Sequence, residues 1–143
     1  MKELGMFGLL GIYSIEDIWK KQIHGIVVIA FAIYGIGIQL YDGSMDYRDS
    51  LGGICVGAIM YLISVASEER IGKGDALILI ATGIYLGFWN NVALLWAASL
   101  LAGMVGLLLH CVWRKSKHYQ LPFVPFLLIA YMVMKIAQVV FRG

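Results

Sequence analysis

Two acidic side chains stand where chemistry is to be expected. Asp17 and Asp75 each lie where a short polar stretch meets a long apolar one. A carboxylate held at the edge of hydrocarbon is costly, and so calls for a reason. Two carboxylates that meet in a low-dielectric setting cannot both ionise easily, and one proton tends to be shared. The ionised partner can then activate a water while the protonated one hydrogen-bonds a substrate carbonyl, which is the chemistry of peptide hydrolysis. Asp75 closes the tetrapeptide Gly72-Lys73-Gly74-Asp75. Its two glycines leave a backbone that an extended substrate can approach closely. The tetrapeptide also puts Asp75 at the start of a helix, where the backbone dipole suits an acidic side chain.

These residues need elements to position them, and composition says which kind. Of the 143 residues 61% are hydrophobic and 14% are charged, and the mean hydropathy is +0.83. Soluble domains are roughly 45–50% apolar, and a chain of this length cannot bury so large an excess. The expected class is a single domain over residues 1–143, all-α, integral to a lipid bilayer. A net charge of +2 without a long Lys/Arg run excludes a nucleic-acid stripe. Cys55 and Cys111 lie within apolar stretches and form no CxxC pair, and His24, His110 and His118 have no metal-ligand spacing. No metal and no organic cofactor are expected. The apolar N-terminus lacks a basic leading region and a small-residue cleavage site, so it reads as a retained helix.

Six apolar segments follow one another: Leu4–Ile15, Ile23–Leu40, Leu51–Ala66, Ala76–Trp89, Val92–Trp113 and Leu121–Phe141. A spanning helix needs roughly 20 residues. The first and fourth segments reach that length only by taking in Glu16 to Trp19 and Gly74-Asp75, which sets Asp17 and Asp75 on helix ends. The links Trp19 to Gln22, Arg70 to Lys73 and Arg114 to Lys117 carry seven of the eleven Lys/Arg residues, and the intervening links contain only Arg48. The positive-inside rule then predicts six transmembrane helices, both termini outside, and Asp17 and Asp75 together at the cytoplasmic boundary. Gly53 with Gly57, and Gly83 with Gly87, have the four-residue spacing that lets helices approach. Lys135 and Arg142 are expected to snorkel to the outer interface.

Three stretches carry a family likeness. Gly72-Lys73-Gly74-Asp75-Ala76-Leu77, followed by Ala81-Thr82-Gly83-Ile84-Tyr85-Leu86-Gly87, resembles the signature helix of type IV prepilin peptidases and preflagellin peptidases, the GxGD intramembrane aspartyl proteases. Asp17-Ile18-Trp19-Lys20-Lys21-Gln22-Ile23-His24 resembles their first catalytic stretch, with His24 where the family usually has proline. Leu121-Pro122-Phe123-Val124-Pro125-Phe126 is similar to the entry of their last helix. The resemblance implies a compact, peptidase-only form with no cysteine tetrad. It also implies that the chain removes the short basic leader of prepilin-like membrane proteins at the cytoplasmic face, with Asp17 and Asp75 catalytic. Gly72, Lys73 and Gly74 would then form the approach for substrate. Glu16, Glu68 and Glu69 lie on the same side as the pair and would attract a Lys/Arg-rich leader. Two other readings use the same residues: a small proton- or ion-coupled transporter, and an inactive assembly factor of a pilus or secretion system. A transporter relay wants acidic residues near mid-membrane, whereas both of these lie at one boundary.

Overall fold

The computed structural model describes residues 2–20, 24–43, 46–67, 72–113 and 121–143. These form five helices and, among the described residues, no strand: α1 (Lys2–Lys20), α2 (Gly25–Tyr41), α3 (Tyr47–Ala66), α4 (Lys73–Trp113) and α5 (Val124–Arg142). Helix α1 takes in Glu16 to Trp19, as the short first apolar segment requires. Its buried residues Met6, Leu9, Leu10, Tyr13, Ser14 and Asp17 recur at helical spacing and line one face. Helix α3 starts at Asp46, whose carboxylate accepts the Arg48 and Asp49 N–H groups at 3.1 and 3.5 Å. That satisfies two of the donors a helix start leaves open.

Helix α4 is broken at Gly87, whose backbone (φ 76°, ψ −175°) is not helical. The Asn91 side-chain amide donates to the carbonyls of Leu79 and Gly53, each at 3.0 Å. Twelve residues of unbroken helix would hold positions 79 and 91 about 18 Å apart. The chain therefore folds back at Gly87, and α4 is two arms, residues 73–86 and 88–113, lying side by side. The Thr82 hydroxyl ties the arms again, donating to Asn91 Oδ1 at 2.7 Å and to its own helix at Leu79 O, 3.1 Å. The second arm begins under a carboxylate from α3: Asp49 Oδ1 accepts the Phe88 N–H at 2.9 Å. The fourth and fifth apolar segments thus correspond to the arms on either side of one glycine.

Helices α3 and α4 share the most extensive contact in the fold. Glycines make it possible: a Cβ on Gly53 would collide with the Gly83 backbone, and one on Gly57 with Ile80. Gly83 is thus a packing residue, as its spacing predicts, but Gly87 serves the turn, and a Cβ there would strike the Asp49 carboxylate. A second polar bridge is buried nearby, where Gln39 of α2 donates to Ile84 O and accepts from the Ser50 hydroxyl at 3.2 Å. Tyr85 fits a notch left by Gly5 and Gly35, and its hydroxyl donates to Phe31 O at 2.5 Å. Helix α5 closes the structure against α1 and α4, burying Val124, Leu127, Ala130 and Tyr131. Lys135 of α5 reaches across to α1. Its ammonium pairs with Glu3 of α1 at 2.5 Å and lies 5.7 Å from the centre of the Tyr131 ring.

Helices α3, α4 and α5 are long and apolar enough to cross a membrane, and α2 is a shorter apolar helix. Large side chains such as Ile26, Ile59, Leu107 and Val139 are exposed on their outer faces. In water such surfaces would drive aggregation, whereas lipid is a suitable solvent for them.

The glycine roles yield a graded expectation for unfolding midpoints in detergent. Gly83→Ala should cost about 1–3 kcal/mol through overpacking. Gly87→Ala should cost at least as much, because a positive-φ extended backbone, essentially confined to glycine, adds about 1–3 kcal/mol to the clash. Gly103→Ala, which meets open space, should stay within about 0.5 kcal/mol of the parent.

Candidate active site

The buried face of α1 does not end with its apolar residues. Continuing Met6, Leu9, Leu10 and Tyr13 by one turn leads to Asp17, which is 8% exposed. A carboxylate thus occupies a position that the helix geometry directs inward. A buried carboxylate needs donors, and one comes from α5. Asp17 Oδ2 accepts the Val124 N–H at 3.1 Å. That N–H is open because the first N–H groups of a helix have no intrahelical acceptor, and the cap residue Phe123 makes no side-chain hydrogen bond to them. A residue 107 positions away in sequence therefore caps α5.

Asp75 lies in the first turn of α4, half-buried, directly after the exposed Gly72 and Lys73 and the half-buried Gly74. Its carboxylate rests over Gly72, where a Cβ would come within 2.8 Å of Oδ2. A side chain at the first glycine of the tetrapeptide would therefore push the Asp75 carboxylate aside. Asp75 and Asp17 interact electrostatically, so the structure brings these two expected residues together. The C-terminal end of α1 and the N-terminal ends of α4 and α5 converge there.

Beside them runs the junction of α1 with α2. Glu16 Oε1 is 3.5 Å from His24 Nδ1, and Glu16 Oε2 is buried with no hydrogen-bond partner. The Tyr13 hydroxyl donates to the His24 carbonyl at 2.8 Å. His24 has φ −78° and ψ 105°, a backbone that proline would also adopt. Glu68 and Glu69 lie outside the described residues. Among the described residues no three His, Cys, Asp or Glu side chains gather as metal ligands.

Sequence reasoning missed two contributors to this end of the fold. The Val124 N–H and the Tyr13 hydroxyl carry no chemical signature in a sequence, although the α1 stripe running Met6, Leu9, Tyr13, Asp17 marks Tyr13 and Asp17 as inward-facing.

Residues 4–109 match the type IV leader peptidase family. The matched stretch contains Asp17, Gly72, Gly74 and Asp75 and stops before α5. No curated protein and no solved structure matches the chain.

The Asp17 cap makes its own prediction. Asp17→Leu removes the acceptor and leaves the Val124 N–H buried and unpaired, which should lower unfolding free energy by about 1–3 kcal/mol. Asp17→Asn keeps an acceptor oxygen and should cost less than half of that, measured by thermal or denaturant unfolding in the same detergent.

Proposed function

The chain belongs to the type IV leader peptidase family, and from that premise we propose that it is an intramembrane aspartic endopeptidase whose catalytic pair is Asp17 and Asp75. The family match makes it a membrane peptidase, in keeping with three helices long enough to span. The observation that supports the aspartic mechanism is the electrostatic interaction of two carboxylates from α1 and α4 at one end of the fold.

One carboxylate, ionised, takes a proton from a water as that water attacks the scissile carbonyl carbon. The other, protonated, donates its hydrogen bond to the carbonyl oxygen as negative charge develops there. Collapse of the tetrahedral intermediate then passes a proton to the departing amine, and the pair returns to its single-proton state. The bond from the Val124 N–H to Asp17 supports a pair that is positioned before substrate arrives. Gly72 and Gly74 leave the approach to Asp75 clear for an extended backbone.

The substrate is a prepilin-like membrane protein, cut between a short basic leader and its apolar helix. Glu16, with its unpaired Oε2, together with Glu68 and Glu69 outside the described residues, supplies the negative charge that draws the leader in. Six spans, with the arms of α4 as the fourth and fifth, put the basic links and the pair on the cytoplasmic side and both termini outside. The protein is then a multi-pass protein of the cytoplasmic membrane.

Replacing either acid by its amide should reduce leader cleavage by at least about 10²–10⁴-fold while membrane insertion is unchanged. The measurement is mass spectrometry of a prepilin-like peptide incubated with membranes carrying each variant. Processing that persists in Asp75→Asn would refute the pair. Because the active state carries one shared proton, the rate should fall toward both acid and alkaline extremes. A flat profile from about pH 4 to about pH 10 would contradict proton sharing.

A further inference from the structure

Asp17 lies in the last turn of α1, three residues before the helix ends at Lys20. The last turn of a helix has carbonyls without intrahelical partners and frays unless something ties it. A catalytic carboxylate in such a turn needs bracing. On one side the brace is the Val124 N–H of α5.

On the other side stands Tyr13. It is 0% exposed and lies one helical turn before Asp17, on the same face. Its hydroxyl donates at 2.8 Å to the carbonyl of His24. That carbonyl is also the first acceptor of α2, receiving the Val27 and Val28 N–H groups at 3.1 and 3.4 Å. One phenol oxygen thus couples the end of α1 to the first turn of α2. The neighbouring Glu16–His24 contact joins side chains 25% and 54% exposed, and a solvent-screened pair of that kind holds geometry poorly. The Tyr13 bond is the better-defined link between the two helices here.

We propose that Tyr13 is a positioning residue for the reaction: it pins the start of α2 to α1 and so keeps the turn carrying Asp17 from fraying away from Asp75. The proposal rests on the reading of Asp17 as half of the catalytic pair, although the brace itself is independent of that reading. In this role Tyr13 acts through Asp17 and takes no part in the chemistry itself.

Tyr13→Phe removes a single oxygen and keeps the buried ring, which makes it the cleanest test. With a prepilin-like peptide, kcat should fall about tenfold while KM stays within about twofold, since loss of alignment costs the chemical step and leaves binding intact. A second measurement needs no turnover. In membranes treated with a hydrophobic carbodiimide, labelling of Asp17, read by mass spectrometry, should rise severalfold in Tyr13→Phe as the turn opens. Unchanged kcat would overturn the proposal, and so would a loss of activity carried by KM or unaccompanied by increased labelling of Asp17. If the parent protein cleaved nothing, the peptidase reading would fail, while the labelling comparison would still decide the role of Tyr13.

Discussion

A carboxylate turned into a protein interior must find a donor, and the site grows from how Asp17 finds one. Its position is imposed by the period of α1, which directs Met6, Leu9, Tyr13 and Asp17 to the same face. Its donor is imposed by α5, whose first N–H has no local cap. One bond therefore solves two problems, an orphaned N–H and a buried acid, and in doing so joins the two ends of the chain. The Glu3–Lys135 ion pair ties the same two helices near the other end of α1. Between them Phe7 meets Tyr131 edge-on at 5.0 Å. Asp17 is accordingly held by a helix pair fixed at both ends.

Its counterpart rests on a different device. Asp75 opens an arm whose far end is a one-residue reversal at Gly87, braced by Asp49 and closed over by Asn91. Glycine contacts at Gly53, Gly57 and Gly83 seat α3 against that arm, while the Asp49 carboxylate and the Gly53 carbonyl of α3 hold the arm that follows the turn. In an apolar setting such bonds face little competition from water, so a few suffice to set the depth and direction of the arm. Together α1, α4 and α5 carry two acids to one end of the fold by separate routes.

Much of this was legible in the sequence, for identifiable reasons. Segment lengths alone required α1 to extend through Trp19 and α4 to begin near Gly74, which set both acids on helix ends. The order of apolar segments anticipated both arms of α4. What stayed hidden depends on long-range geometry. Gly83 and Gly87 share one spacing, yet one packs against Gly53 and the other turns the chain, and only a backbone angle separates the two roles. The cap on α5 comes from 107 residues away and the cap on the second arm of α4 from 39, distances no local pattern encodes. Lys135 reads as an interfacial lysine, and no local pattern sets Glu3 beside it.

The central claim is that Asp17 and Asp75 behave as one titrating unit. Infrared titration of the carboxyl stretch of Asp17, isolated as the difference between the parent and Asp17→Asn, measures this without any substrate. Replacing Asp75 by Asn should shift that titration, because a partner charge has been removed from a low-dielectric site. A titration of Asp17 that is the same with and without the Asp75 carboxylate would contradict the account.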